Sequence, residues 1–353
     1  MHDLNYIIKT STTHEQPELS VGLWKIGQDV PDHLWSSVRG DNYVDHEHPT
    51  VAEVPKTFVE MDGQLFMGMS SGYIKQIDLQ SGRTVARYGP RLTISHGDPT
   101  PAPVHSLVLH DGKVYDASGA GLFETLGREK LDDRFIGSVE VAADRLLIVP
   151  HGANPRSLEG RDYQSSRMSK TPGGGQVVTH APAAFRFADS IRESKAGNLI
   201  DVSNGEIVME RVEPFDGSGM SPGEHVIVGD HLYMHHGNYP GETITVRKFP
   251  TGETVVAHNV KTTKLLGEHN GHAIDYREGL GPNAIRRTDK DYDFTPIFTE
   301  PRGERITSVA SGDDVGLLVA LYNREGNKTR IINHQNPEEN LLESPGRLSL
   351  TRL

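Results

Sequence analysis

Three ungapped segments of this chain carry one pattern: Ile77-Asp-Leu-Gln-Ser-Gly-Arg-Thr-Val85, Ile200-Asp-Val-Ser-Asn-Gly-Glu-Ile-Val208 and Arg247-Lys-Phe-Pro-Thr-Gly-Glu-Thr-Val255. Each is a short apolar-alternating run, a Ser/Thr/Asn-Gly turn and a second β-branched run. Glycine at that point supplies the positive φ of a tight hairpin, so the pattern predicts paired strands. Between Gly82 and Gly205 there is room for about three units of ~41 residues, the length of one four-stranded repeat.

A second set of segments lies upstream of these hairpins. A turn, often Asp-Gly, precedes a short apolar strand at Asp62-Gly-Gln-Leu-Phe-Met, Asp111-Gly-Lys-Val-Tyr, Asp144-Arg-Leu-Leu-Ile, Asp230-His-Leu-Tyr-Met and Asp314-Val-Gly-Leu-Leu. Asp32-His-Leu-Trp and Gly271-His-Ala-Ile-Asp-Tyr276 are fainter members. Seven turns predict seven units, with six as the alternative if the faint ones fall away. The interval from Asp144 to Asp230 is about twice the usual one. It contains a polar, Gly-rich stretch, residues 151–180 with Gly173-Gly-Gly175, read here as a long loop insertion in one unit. No long window keeps apolar residues at i, i+3, i+4 and i+7; a short helix near Phe187–Ala196 is the one helical candidate.

The succession of Asp turn, strand, short loop and I-D-x-x-[ST]-G-x-x-V hairpin resembles the repeats of β-propellers of the PQQ-like, YVTN-like and WD40-like superfamily. The resemblance spans residues 30–345 and is best over Phe58–Tyr88. It implies an all-β fold: a single β-propeller domain over residues 1–353, of seven blades or alternatively six, with residues 151–180 as a loop insertion. There are two Trp and no Trp-Asp dipeptide, unlike WD40 repeats, and the adjacent cysteines of quinoprotein dehydrogenases are missing, which argues against bound PQQ. Propellers host enzymes, scaffolds and receptors alike, so the resemblance carries fold and not function.

Composition narrows the classes. The 36 Lys+Arg against 48 Asp+Glu give a formal charge of −12, and the basic residues are scattered, which argues against nucleic acid as a partner. With no Cys the chain has no disulfide scaffold, thiolate nucleophile or Cys-based zinc site. The N-terminal residues show no leader pattern, and no apolar run approaches the roughly 18 residues of a membrane span. The expectation is a soluble cytoplasmic protein without a membrane partner.

In a blade of this kind the Asp turn joins the first and second strands, and the Ser/Thr-Gly turn joins the third and fourth. The opposite edge carries the second-to-third loops and the blade-to-blade connections, and opens on the central funnel. Histidine, at 18 residues, is concentrated there on this reading. His46, His48, His96, His105, His225, His269 and His272 are assigned to blade starts, and His151, His235 and His236 to second-to-third loops. The loops His151-Gly-Ala-Asn154-Pro155 and His236-Gly-Asn238-Tyr-Pro240 nearly repeat each other. His96, His151, Asn154, His236, Asn238 and His269 are therefore candidate ligand-binding residues around one cavity.

His46-Glu-His48 is the sharpest metal candidate, because residues i and i+2 of a strand point to one side and two imidazoles could share a divalent zinc, manganese or nickel ion. The arrangement is similar to that of oligogalacturonate lyase propellers, which hold a metal through funnel histidines. The plainer alternative is a set of solvated loop histidines. Gly68-Met-Ser70-Ser-Gly72 matches G-x-S-x-G but falls in a predicted hairpin rather than a strand-to-helix elbow. Asp98, Asp216, Glu268 and Glu304 are possible funnel acids, and Arg156 and Arg161 a possible carboxylate clamp.

Three function classes stand at this point. The first is a binding propeller that takes a protein partner or a polar small molecule such as an oligosaccharide. The second is a metal- and His-assisted polysaccharide lyase or hydrolase, and the third a structural subunit of an assembly.

Overall fold

The computed structural model describes residues 5–11, 19–37, 53–95, 98–132, 138–142, 145–149, 166–170, 176–180, 186–187, 191–193, 199–201, 207–209, 225–236, 243–248, 254–259, 263–277, 283–288, 294–312 and 316–353. The fold is all-β, with no helix among these residues. Where a short helix was expected, near Phe187–Ala196, the chain instead forms strands Arg186–Phe187 and Ile191–Glu193. Contacts group the chain into two units, Met1–Val54 with Ile77–Val85 and Thr263–Leu353, and Pro55–Gln76 with Ala86–Thr262.

The first unit holds three antiparallel sheets of four strands. The first runs Arg347–Arg352, Asn5–Ser11, Leu19–Lys25, Asp32–Ser37 in spatial order, so the two ends of the chain share one sheet. Tyr6 pairs with Arg352 and Ser11 with Arg347, so the N-terminal and C-terminal strands pair directly with each other. The seventh sheet runs Thr263–His269, His272–Arg277, Ala284–Thr288, Phe294–Thr299. The eighth runs Glu304–Gly312, Gly316–Asn323, Lys328–Asn333, Asn336–Pro345.

Strand Gly316–Asn323 shows why its sequence, GLLVALYN, is a continuous apolar run rather than an alternation. Leu317, Val319 and Leu321 pack into one core with Ile274 and Ile285 of the seventh sheet. Leu318 and Ala320 turn the other way, into a second core with Tyr6, Ile8 and Trp24 of the first. A strand covered on both faces needs apolar residues at both parities.

The second unit carries the third sheet, Val104–His110, Lys113–Ser118, Gly121–Glu124, Glu129–Asp132, and the sixth, His225–Val228, His231–His236, Thr243–Lys248, Thr254–Asn259. It also holds most of the second sheet, Pro55–Met61, Gln64–Met69, Ile74–Asp78, Thr84–Tyr88. Two three-stranded sheets complete it: the fourth, Ser138–Ala142, Arg145–Val149, Arg186–Phe187, and the fifth, Ile191–Glu193, Leu199–Asp201, Ile207–Met209.

The described residues thus form eight sheets of three or four strands, against the seven units read from the turns. Two features explain the difference. Asp32 opens the outermost strand of the first sheet instead of following a first-strand turn; that sheet has no such turn, because its first strand comes from the C-terminal end. The long interval from Asp144 to Asp230 contains the whole fifth sheet, which the Gly205 hairpin had already signalled. Within the expected irregular insertion, Ser166–Lys170 and Gln176–His180 form an antiparallel hairpin in register from Ser166↔His180 to Lys170↔Gln176.

The repeated turns are legible as chemistry. Asp62-Gly63, Asp111-Gly112 and Asn270-Gly271 each have two successive positive φ values, 52° and 73°, 47° and 69°, and 51° and 74°. Such a pair defines the type I′ hairpin turn, which Asp-Gly and Asn-Gly favour. In the I-D-x-x-S-G hairpin, Asp78 is the organiser. Its Oδ1 accepts from Ser81 N at 2.7 Å and Ser81 Oγ at 2.6 Å, and its carbonyl accepts from Gly82 N at 2.8 Å. Asp78→Ala removes two side-chain hydrogen bonds at an exposed turn and is expected to cost about 1 kcal/mol. A lower urea midpoint at unchanged slope would record that loss.

Candidate binding site

Three acidic side chains of the sheets are each paired with an arginine of the same unit. In the third sheet Asp116 is fully buried and receives two bonds from Arg91, Nε at 2.9 Å and Nη2 at 2.6 Å, and one from Thr125 Oγ1 at 2.8 Å. The Arg91 guanidinium also lies 4.0 Å from the centre of the Phe123 ring. In the seventh sheet Asp275, likewise fully buried, accepts from Arg286 Nε at 2.7 Å across a direct strand pair. Asp116 and Asp275 both stand four residues after a turn glycine, Gly112 and Gly271, so they occupy the same position of the repeat. In the eighth sheet Arg330 grips both carboxylate oxygens of Glu304 at 2.8 Å. Those hydrogen bonds raise the Arg330 guanidinium above its ordinary range, against the opposing effect of burial.

Among the residues expected to bind ligand or metal, His46, His48, His96, His151, Asn154 and Asn238 lie outside the described residues. His236 ends the second strand of the sixth sheet opposite Thr243, at the second-to-third-loop edge where it was expected. His269 does not start its sheet. It ends the first strand of the seventh sheet, opposite His272 across the Asn270-Gly271 turn, and so lies at the turn edge. The shared-edge argument for grouping it with the loop histidines therefore does not apply to it.

The His269 ring is only 6% exposed and both nitrogens have partners: Nδ1 is 2.8 Å from Ser311 Oγ, and Nε2 is 3.1 Å from Asn270 Nδ2. With the Asn270 amide assigned its nitrogen toward Nε2, that contact can only donate to the ring, so Nδ1 carries the proton and donates to Ser311. Ser311 belongs to the first strand of the eighth sheet, so this imidazole ties two neighbouring first strands together. His334 stands edge-on to it, ring centres 5.8 Å apart at 83°, and its Nδ1 lies 3.3 Å from the Leu317 amide. Sequence reasoning missed Ser311 and His334, which no local motif links to His269. The Asn270-Gly271 turn beside it was the available signal.

Other candidates resolve into structural work. Glu268 Oε1 accepts from Gly271 N at 2.7 Å and supports the turn; Glu304 serves Arg330. Asp216, Arg156 and Arg161 lie outside the described residues. The G-x-S-x-G segment is a strand end and turn, with Met69 N bonded to Tyr73 O at 2.8 Å, as the hairpin reading required. Among the described residues no group of three or more His, Cys, Asp or Glu is arranged to hold a metal ion.

The described residues of the first unit also form a half-open crevice of about 250 Å³, lined in part by Thr10, Ser20, Gly22, His33 and Ser344.

No known family model matches the sequence, and no curated protein matches it. Solved structures do match the fold. Dihydro-heme d1 dehydrogenase NirN, in complex with DHE, aligns with a TM-score of 0.52 at 11% identity, covering 99% of this chain and 75% of that one. A chain of a mitotic checkpoint complex aligns at 0.49 and 10% identity, covering 90% and 86%. BamB from Moraxella catarrhalis aligns at 0.45 and 12% identity, covering 96% and 87%. The likeness to NirN shows the fold alone, a β-propeller.

Proposed function

We propose that this chain is a β-propeller interaction protein that holds a protein partner or a polar small molecule at the loop ends of its sheets. His46, His48, His96, His151, Asn154, His236 and Asn238 form the recognition set in this reading. The observation that supports it is the pairing of the acidic side chains. Asp275 and Glu304 are each committed to an arginine of their own sheet, and the buried Asp116 to Arg91 beside its sheet, which makes the sheets a rigid scaffold. Recognition on such a scaffold falls to the loops it presents. A single propeller domain over residues 1–353, with each of the eight sheets as one blade, is part of the same proposal. So is a cytoplasmic setting, which cell fractionation tests.

A variant of the full chain carrying His46→Asn, His48→Asn, His151→Asn and His236→Asn should keep the wild-type melting temperature. It should bind the partner recovered by cross-linking with the wild type about tenfold more weakly or worse, a loss of ~1.4 kcal/mol. Equal affinity would remove the histidines from the reading. Elemental analysis of the purified chain runs beside it: stoichiometric zinc, manganese or nickel would turn the interpretation to a metal- and His-assisted lyase or hydrolase.

A further inference from the structure

The first sheet changes character along one face. Tyr6 lies opposite Trp24, Ile8 opposite Gly22, and Thr10 opposite Ser20, all on the same side of the sheet because directly paired strand residues share a face. Tyr6, Trp24 and Ile8 fill the space against the eighth sheet, in a core with Leu342, Leu348 and Leu350. One step further along, the residues become small and polar: Gly22, Thr10 and Ser20. Two packed sheets stand ~10 Å apart, and side chains of this size cannot fill the gap between them. The result is the half-open 250 Å³ crevice, flanked by Ser344 and Pro345 from the outermost strand of the eighth sheet.

The walls define the chemistry of an occupant. Thr10, Ser20, Ser344 and His33 contribute three hydroxyls and an imidazole, and no Asp, Glu, Lys or Arg lines the space. A charged ligand would give up part of its hydration there without meeting an opposite charge among the lining residues. Hydroxyls both donate and accept, which suits a ligand whose own groups do the same. Ile8, Val21, Pro31 and Pro345 supply the apolar surface beside them, the larger part of the lining. Gly22 packs directly under Pro31: a Cβ there would stand 2.7 Å from the Pro31 Cβ, so the sheet approaches the Pro31 segment too closely for any side chain.

We infer that this inter-sheet crevice is a binding site for one neutral, polyhydroxylated ring, the size of a single hexopyranose unit. It goes beyond the loop-based recognition above and neither requires it nor is required by it. Small, pre-formed sites of this kind give weak affinities, with a Kd on the order of 1 mM for a single ring. The test is saturation-transfer NMR on the full chain with D-glucose, D-galactose and D-mannose, using D-glucuronate as the charged comparison. The expected result is transfer to at least one neutral hexose and about tenfold less to glucuronate, the ratio equivalent to ~1.4 kcal/mol. Thr10→Val and Ser20→Ala remove hydroxyls without adding bulk beyond that of the native side chains, and should abolish the transfer while the melting temperature stays within a few degrees. Absence of transfer from all three hexoses, or transfer that both variants retain, overturns the inference.

Discussion

Asp116→Ala should destabilise the chain by about 3–5 kcal/mol, the range for breaking one side of a buried ion pair. The reason lies in what is left behind. Asp116 has no exposed surface, and Arg91 beside it retains 7% of its side-chain exposure. Removing the carboxylate leaves a guanidinium with its donors facing a space that water reaches poorly, and Thr125 loses its acceptor. The cost is therefore the stranded charge more than the lost bond. That distinction has its own check. The double variant Arg91→Met with Asp116→Leu strands no charge, and it should be markedly more stable than Asp116→Ala alone. Urea unfolding of the two variants and the wild type measures both differences. An Asp116→Ala midpoint that implied a loss near 1 kcal/mol would show that the pair is solvated in practice.

Much of this architecture was legible because it is local. Asp-Gly and Asn-Gly turns must take positive φ, so Asp62, Asp111 and Asn270 announce their hairpins from two residues each. Asp78 and Ser81 encode a turn in four. The first sheet was harder to read, since its first strand, Arg347–Arg352, meets Asn5–Ser11 from the other end of the chain, and no turn marks that junction. Asp32 was drawn into the turn series for the same reason: its Asp-x-apolar pattern is real, but it belongs to an outer strand. The site was least legible. The repeat pattern assigns His269 to a blade start, and its partners give no warning otherwise, since Ser311 and His334 lie 42 and 65 positions away and carry no motif. The pairing of Arg91 with Asp116 is equally silent in sequence, since an arginine 25 residues upstream of an aspartate has no spacing rule behind it. Repetition did carry one trace of it, the recurrence of Asp four residues after a turn glycine at both Asp116 and Asp275.

Gly72→Ala is expected to cost about 3 kcal/mol, from ~1–2 for a β-carbon in the left-handed region and the rest from overlap with backbone. Gly72 has a φ of 80°, and a Cβ built there would stand 2.6 Å from the Arg91 carbonyl oxygen, 3.0 Å from that of Ala102 and 3.1 Å from the Arg91 amide nitrogen. None of these atoms can swing away as a side chain would. They are held by a chain of hydrogen bonds, Arg91 N to Gly72 O at 2.9 Å and Ala102 N to Arg91 O at 2.8 Å. Gly112 is the control: its φ is 69°, yet nothing lies within 4 Å of its Cβ position. Gly112→Ala should therefore carry the backbone strain alone, about 1–2 kcal/mol. The two substitutions separate strain from crowding, and equal losses would refute the crowding argument. A further consequence follows from Arg91 standing at both places. The methyl at position 72 displaces the backbone that aims this guanidinium at Asp116, so part of the ion pair is already lost in Gly72→Ala. Combined with Asp116→Ala, the effects should fall short of additivity by about 0.5–3 kcal/mol, the range for residues that share a partner. Strict additivity in that double-mutant cycle would mean that the Gly72 turn and the buried pair are independent.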